Sequence, residues 1–433
     1  MLFAKDAPRD NLVVRGPRVL DPAAGIDTVL DVRIDDGVIT ALGVGLDTNA
    51  HRAIDAEGLL LAPAFVDPHV HLRTPGREDE ETIASGTAAA AAGGYCAILA
   101  MPNTDPVVDS AATLGSLVEA ARAEAEIPVG FLASITKGQA GAELTEMCEL
   151  AEAGAAGFTD DGVPVQAAGL MRRALQYSAV AGRPIALHCE EPTLSRGGQM
   201  HEGDVNAELG LTGYPSVAES VMVERDLALA AYERRPLHLL HLSAWESVQA
   251  VRRARAGGVE ATAEVTPHHL CLTDEAVRSL DPNLKMNPPL RAASDRAALI
   301  DGLNDGTISA IATDHAPHAR HEKEVPFEAA PFGVTGLETS FAALYTHLAE
   351  PGLVSLETVL ERMSAGPARA YGLDEPRIAV GSPANLVLLD LRASYRVTED
   401  VFRSRSVNSW LLGDTVKGKV RATIAAGQLV FSA

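Results

Sequence analysis

The chain has 433 residues, of which 47% are hydrophobic and 22% charged, a balance typical of a soluble globular protein rather than a disordered one. Its 36 basic and 58 acidic residues give a net charge of −22, and no basic run relieves this acidity, which argues against nucleic acid as a partner. No apolar run reaches membrane-spanning length and the first ten residues do not resemble a secretory signal, so we expect a cytoplasmic protein.

The two ends of the chain carry strand patterns without helices between them. Near the N-terminus these patterns lie at 12–19 and 29–42, and near the C-terminus at 385–391 and 416–430. Each flank is too short to bury a core alone. We therefore expect residues 1–58 and 376–433 to fold together as one small β-sandwich domain.

Between the flanks, eight short apolar runs alternate with helical patterns, which is the signature of βαβ units. Eight units favour a closed (β/α)8 barrel of the TIM type over an open sheet, so the predicted fold class is α/β with the barrel at 59–375. Residues 355–372 are predicted to be extra helices between barrel and sandwich. The eight runs span 59–72, 95–103, 127–135, 155–161, 184–191, 236–243, 260–270 and 308–318.

The strongest local signal is the pair His69 and His71 at the end of the first barrel run. Residues i and i+2 of a strand face the same side, so both imidazoles can point into the barrel mouth. Alone this spacing is a weak metal signal, but further candidate ligands end other runs, where barrel enzymes build their sites. These are Asp160 or Asp161, His188, His241 and Asp314.

Imidazoles and carboxylates without thiolates suit a catalytic zinc site better than a structural one, and hydrolysis is the reaction class that such a site favours. The four cysteines are scattered, so they predict neither a disulfide framework nor a thiolate zinc cage. Cys189 follows His188 directly, and strand alternation turns it away from the ligand face. We interpret it as a packed residue rather than a nucleophile.

Six blocks resemble class I bacterial dihydroorotases of the amidohydrolase superfamily in order and spacing, and the resemblance covers nearly the whole chain. The blocks are VDPHVHLR at 66–73, MPNT at 101–104, GFTDDG at 157–162, HCE at 188–190, KMNPPLR at 285–291 and TDHAPH at 313–318. The implied activity is the reversible, zinc-dependent cyclisation of N-carbamoyl-L-aspartate to L-dihydroorotate in pyrimidine synthesis. A homodimer is expected.

The resemblance implies two zinc ions per chain, bridged by Asp161 and a hydroxide. One zinc would be held by His69, His71 and Asp314, and the other by His188 and His241. Strand alternation alone puts Asp160 and Asp161 on opposite faces without saying which faces inward. Asp314 is implied as the catalytic residue that takes a proton as base and returns it as acid.

The resemblance also implies a set of substrate-binding residues. Arg73 would bind the substrate carboxylate with Asn103 and His318, and Asn287 and the backbone near Phe332 would contact the pyrimidine ring. The full set is His71, Arg73, Asn103, Asn287, His318, Phe332 and Gly333. The residues by themselves leave other interpretations open: Arg73 could pair with Glu78 or Asp79, Asn103 could cap a turn, and His318 could be a solvated loop residue.

Several features stay open in the sequence. Thr74 departs from the family, in which many members carry glutamate at that position. Residues 319–331 could form a lid or a surface loop. Roles for His268, His269 and His315 are unassigned, with a structural role preferred.

Two rival functions remain. Another cyclic-amide hydrolase, a hydantoinase or allantoinase, would share the barrel and the metals. An inactive homologue could instead serve as a structural partner of aspartate transcarbamoylase, and its mark would be missing ligands.

Overall fold

The computed structural model describes residues 1–433, which form twenty strands and fourteen α-helices. The strands are β1 (Leu12–Arg15), β2 (Arg18–Asp21), β3 (Ile26–Val29), β4 (Asp31–Asp35), β5 (Val38–Gly43), β6 (Arg52–Asp55), β7 (Leu60–Pro63), β8 (Phe65–Val70), β9 (Tyr95–Ala100), β10 (Val129–Ala133), β11 (Gly157–Phe158), β12 (Ala186–Leu187), β13 (Met200–His201), β14 (Gly213–Tyr214), β15 (Leu237–Leu239), β16 (Ala261–Val265), β17 (Ala310–Ile311), β18 (Leu386–Arg396), β19 (Thr415–Ala425) and β20 (Gln428–Ser432).

The helices lie mainly between the barrel strands. They are α1 (Ile83–Ala92), α2 (Ala111–Glu124), α3 (Met147–Ala153), α4 (Ala168–Ala181), α5 (Pro192–Ser195), α6 (Asp204–Leu209), α7 (Val217–Glu233), α8 (Trp245–Ala256), α9 (Pro267–Cys271), α10 (Ala293–Asp305), α11 (Arg320–Lys323), α12 (Ser340–Leu344), α13 (Leu356–Met363) and α14 (Ala365–Ala370). None of them is both long and apolar enough to cross a membrane.

The predicted barrel is confirmed. Strands β8 to β11 pair in parallel in chain order, and β12, β15, β16 and β17 form a second parallel set. Parallel bridges join Phe158 to Ile185 and Val70 to His315, and thereby close the two sets into one ring. A core of 71 buried residues fills the barrel and the space between strands and helices.

Local sequence signals explain where the helices stop and start. The side chain of Thr82 accepts a hydrogen bond from the Ser85 amide and caps α1, which ends at Gly93. Helix α4 ends at Gly182, whose φ of 66° lies in the left-handed region that glycine adopts without strain. Each helix therefore turns back to the next strand within a few residues.

The two chain ends form one sandwich, as the sequence predicts. One sheet has the order β5-β4-β1-β6, and the other has the order β20-β19-β18-β7-β2-β3. Their shared core joins Leu12 and Ile34 from the first flank to Leu386 and Ile424 from the last. The domain limits at 58/59 and 375/376 stay a prediction.

The apolar run at 59–72, predicted as one barrel strand, contains two strands. Strand β7 pairs with β2 and β18 in the sandwich, and only β8 pairs with β9 in the barrel. Every residue from 60 to 72 is buried, so hydropathy gives no sign of the change of sheet. A small parallel pair, β13 with β14, is also inserted after β12 and was not predicted from the sequence.

Candidate active site

Six buried side chains meet at the carboxyl ends of the barrel strands. Two come from β8 and its end, and the others lie within three residues of the ends of β11, β12, β15 and β17, where the strand ends of a parallel barrel meet at one mouth. They are His69, His71, Asp161, His188, His241 and Asp314. These six are the residues that the family resemblance implies as metal ligands.

Asp161 stands at the centre of this cluster, with one oxygen towards each pair of histidines. Its Oδ2 lies 3.6 Å from Nε2 of both His69 and His71. Its Oδ1 lies 3.7 Å from Nδ1 of His188 and from Nε2 of His241. A carboxylate in this position can contact two cations at once.

Asp314 adds a second carboxylate on one side only. Its Oδ1 lies 3.1 Å from Nε2 of His71 and 3.4 Å from Nε2 of His69. The Asp161 Oδ2 side therefore offers four protein groups, and the Oδ1 side offers three.

The donor set fits a metal ion such as zinc. Nε2 of His69 is buried without a hydrogen-bond partner, and the ion pairs of both aspartates are with histidines alone. Two triads have ligand atoms within 4.8 Å of one another, namely His69 with His71 and Asp314, and His69 with Asp161 and His241. Imidazole and carboxylate donors without thiolate are those of catalytic zinc sites.

The electrostatics of the cluster attract positive charge. Burial lowers the pKa of His69, but the carboxylates of Asp314 and Asp161 outweigh burial and raise that pKa well above its usual range. Burial in turn raises the pKa of Asp161, but His69 and His241 hold it well below the usual range. Burial likewise raises the pKa of Asp314, but His69 and His71 lower it below the usual range, so both carboxylates are ionised, the state in which a carboxylate can bind a metal.

The structure shows which of the two adjacent aspartates faces the cluster, a question that strand alternation alone left open. Asp160 points away from the cluster, and its Oδ1 accepts the backbone N–H groups of Ile135 and Thr136 at 2.7 and 3.1 Å. Asp160 therefore holds the turn after β10, whereas Asp161 faces the barrel mouth.

Three residues of the site have a positive φ although none is glycine. The values are 56° at Arg73, 29° at His241 and 48° at Asp314. Such conformations cost free energy and are retained where the surrounding structure imposes them, often at functional sites. Here they redirect side chains that simple strand alternation would place differently.

A second layer of polar groups orients the histidines. Nδ1 of His71 lies 2.9 Å from Oδ1 of Asn103, and Nε2 of His188 lies 2.9 Å from Oε2 of Glu190. Nδ1 of His69 lies 2.8 Å from Oε1 of Glu264. Outer partners of this kind fix the ring direction and tautomer of a metal ligand.

Neither glutamate of this layer was predicted from the sequence. The available signal for Glu264 was a lone charge in the otherwise uncharged strand β16, and for Glu190 its position two residues beyond His188.

A cavity of about 170 Å³ opens beside the cluster. Six of the seven predicted substrate-binding residues line it: His71, Arg73, Asn103, Asn287, Phe332 and Gly333. His318 lies directly behind, with Nε2 2.8 Å from the carbonyl oxygen of Phe332. The cavity therefore joins the candidate metal ligands to a guanidinium, as an anionic ring substrate would require.

Arg73 is already paired inside the protein. Its Nε lies 3.0 Å from Oε2 of Glu80, rather than pairing with Glu78 or Asp79, and it also donates to the carbonyl oxygen of Pro317 at 3.1 Å. The other oxygen of Glu80 lies 3.1 Å from Nδ1 of His318. One buried carboxylate thus holds both candidate carboxylate-binding side chains.

Two of the remaining polar candidates, His315 and His269, have internal partners. His315 contacts Glu81 at 3.2 Å and accepts the Gly336 amide through Nδ1, so its surroundings are structural. His269 lies between the Thr266 hydroxyl and the Pro288 carbonyl. Nε2 of His268 and Oγ1 of Thr74 are buried without partners.

Cys189 is buried in the main core, and burial raises the pKa of its thiol well above the usual range. A thiol in this state does not form the thiolate that a nucleophile needs.

Residues 319–331 form one short helix followed by bends and turns. They contain α11, and Phe327 packs with Met286 and Val334 in a separate buried cluster. Lys323 is 8% exposed, and its ammonium donates to the carbonyl oxygens of Pro282 and Pro331 at 3.0 and 2.8 Å. This segment forms one wall behind the cavity residue Phe332.

Comparisons with known proteins identify the family of this chain. A family model described as dihydro-orotase-like matches residues 58–247. A dihydroorotase of Pelotomaculum thermopropionicum is 45% identical over 97% of this chain and 98% of its own. A dihydroorotase of Geobacter sp. strain M21 is 46% identical over 98% of this chain and 100% of its own.

Among solved structures, the L-hydantoinase (dihydropyrimidinase) from Arthrobacter aurescens superimposes with a TM-score of 0.88 at 26% identity and covers 98% of this chain and 96% of its own. A D-hydantoinase structure has a TM-score of 0.84 at 24% identity, covers 98% of this chain and 95% of its own, and shares the fold. From the extent of these similarities, the chain belongs to the dihydroorotase family of the amidohydrolase superfamily.

Proposed function

We propose that this protein is a zinc-dependent dihydroorotase that interconverts L-dihydroorotate and N-carbamoyl-L-aspartate in pyrimidine synthesis. The observation that carries the proposal is one small cavity in which Asp161 and its histidines face Arg73. Ring opening adds water across the ring amide and releases a proton, and ring closure takes that proton up. The site must therefore bind an anion, activate an amide and move a proton.

About two zinc ions per chain are proposed, one on each side of Asp161. His69, His71 and Asp314 would share one ion with Asp161, and His188 and His241 would share the other. Bound zinc would supply a Lewis acid for the amide carbonyl and would make water acidic enough to react near neutral pH. Elemental analysis of protein purified without chelator should find about two ions, and less than half an ion would overturn the proposal.

The protein's own groups divide the remaining work. Arg73, with Asn103 and His318, would orient the substrate carboxylate, while Asn287 and the backbone at Phe332 and Gly333 would hold the ring. Asp314 borders both the cluster and the cavity, so it is placed to take a proton from water and pass it to the leaving ring nitrogen.

The test is a direct comparison of substrates. Purified protein should hydrolyse L-dihydroorotate at least ~10²-fold more efficiently than hydantoin or allantoin, because only dihydroorotate offers a carboxylate to Arg73. A preference for hydantoin would favour the hydantoinase alternative, because hydantoinases share this fold. Absence of any turnover in zinc-replete protein would favour the inactive homologue. A cytoplasmic homodimer and a transcarbamoylase partner stay predictions.

A further inference from the structure

A fully buried carboxylate lies beneath the cluster and touches two of its histidines. Oε1 of Glu264 lies 2.8 Å from Nδ1 of His69 and accepts the backbone N–H of His241 at 3.3 Å. Glu264 is 0% exposed. It therefore contacts His69 through the ring nitrogen opposite the one that faces Asp161 and Asp314.

The second oxygen of Glu264 has a partner of its own. Oε2 lies 2.9 Å from Nε2 of His238, and Nδ1 of His238 lies 2.8 Å from the hydroxyl of Thr262. An ionised carboxylate only accepts, so Nε2 of His238 donates to Glu264, while Nδ1 of His238 forms a hydrogen bond with the Thr262 hydroxyl. A continuous chain thus runs from Thr262 through His238 and Glu264 to His69.

Two groups from β15 and the residues just after it reach Glu264. His238 and His241 are three residues apart, and regular alternation would place them on opposite faces of β15. The φ of 29° at His241 breaks that alternation just after the strand. His238 consequently reaches Glu264 with its ring while His241 reaches it with its backbone amide.

We propose that His238 is a positioning residue for the metal centre, which it holds through Glu264. The inference rests on the proposed zinc site. Without the His238 donor, one oxygen of a buried carboxylate would have no partner, a state that costs free energy. The Glu264 side chain would then change its conformation to reach another hydrogen-bond donor, and it would no longer fix the orientation of the His69 ring.

The expected effect is on zinc affinity. Loss of an outer partner of a metal-ligating histidine weakens metal binding by about 10- to 100-fold. His238 contacts the metal-ligating His69 only through Glu264. We therefore expect His238→Met to weaken zinc binding by roughly tenfold, the lower limit of this range. In His238→Gln the amide nitrogen can still donate to Glu264, so this variant should bind zinc within about threefold of the unaltered protein.

The experiment measures Zn²⁺ binding to the metal-free full-length protein by competition with a chromophoric chelator. Tyr371→Phe is the matched control, because Tyr371 packs edge-on against His238 at 5.2 Å between ring centroids and its hydroxyl is buried without a partner. This control should leave zinc affinity unchanged. If His238→Met does not fold, Thr262→Val removes only the hydroxyl that orients His238 and should weaken binding severalfold, whereas Thr262→Ser should not.

A double-mutant cycle tests the route through Glu264. Glu264→Gln should weaken zinc binding by itself, and His238→Met should add little in that background, because both changes interrupt the same chain. Additive losses, or an unchanged affinity in folded His238→Met, would overturn the inference while leaving the metal centre intact. Failure of the unaltered protein to bind zinc would instead overturn the metal centre, and this inference with it.

Discussion

The two ends of the site cavity are built in opposite ways. At the metal end, the ion pairs of Asp161 and Asp314 are with histidines alone, so no lysine or arginine is paired with these carboxylates. At the substrate end, Arg73 already has a carboxylate partner in Glu80. The metal end therefore has negative charge that a bound cation would neutralise. The substrate end already contains a positive and a negative side chain.

This difference has a physical consequence for binding. A metal ion entering the first end takes the place of protons on the histidines and gains several anionic and imidazole donors without breaking an ion pair with a lysine or arginine. A substrate carboxylate entering the second end must share Arg73 with Glu80, which reduces the net gain. For a reversible reaction whose substrate and product are both anions, moderate affinity lets either one leave. Three substitutions at the site test this contrast and a fourth tests a buried lysine behind the cavity, from the largest expected effect to the smallest.

Asp161→Asn should have the largest effect. An amide cannot present two anionic oxygens, so zinc content should fall below half of normal and turnover of dihydroorotate should fall by at least ~10³-fold. The matched control is Asp160→Asn, which alters the neighbouring carboxylate that holds the turn at Ile135. The control should lower the melting temperature and keep its zinc. Equal loss of zinc in both variants would contradict the central place of Asp161.

Asp314→Asn should lower kcat by at least ~10²-fold in both directions while zinc is largely retained. The amide oxygen can still meet a metal, but it cannot take up the proton. Asparagine also tolerates the φ of 48° at this position, which limits damage to the backbone. The measurement must pair kinetics with zinc content, and a zinc-replete variant above a tenth of normal turnover would show that the proton takes another route.

Arg73→Met should reduce kcat/KM for dihydroorotate by roughly 10- to 100-fold, mainly through KM, with zinc content unchanged. A hydrogen bond to a charged group contributes about 1.5–3 kcal/mol, and competition from Glu80 keeps the effect below that of Asp314. Arg320→Met is the control, since Arg320 is exposed and pairs with Glu324 and Glu399 rather than with Glu80. A normal KM in the Arg73 variant would mean that the substrate carboxylate is held elsewhere.

Lys323→Met should have the smallest effect, on stability rather than turnover. Burial, with a smaller contribution from Lys285, lowers the pKa of Lys323 from 10.5 to about 7. Between these values the unfolded chain binds a proton that the folded protein does not, so the lysine's destabilising effect is full below pH 7 and fades as the pH rises. The melting temperature of the variant, relative to the unaltered protein, should therefore be higher at pH 6 than at pH 9. A relative gain that grew with pH would contradict this account of Lys323.

The sequence by itself determined the features that repeat locally. The two-residue period of a strand put His69 and His71 on one face, and eight strand–helix units favoured a closed barrel whose strand ends meet. The short flanks had to combine, because neither could bury a core alone. These results depend on patterns within a few residues or on the count of elements, and the barrel and its sandwich agree with them.

Only the tertiary structure decided which groups the buried charged side chains contact. It turned Asp161 rather than Asp160 inward, paired Arg73 with Glu80, and divided the run at 59–72 between two sheets. Glu264 and His69 lie 195 positions apart in the chain, so no local period relates them. Their contact forms because closing the barrel brings distant strands together, where buried polar groups must form hydrogen bonds. The left-handed backbone at His241 likewise depends on the closed barrel.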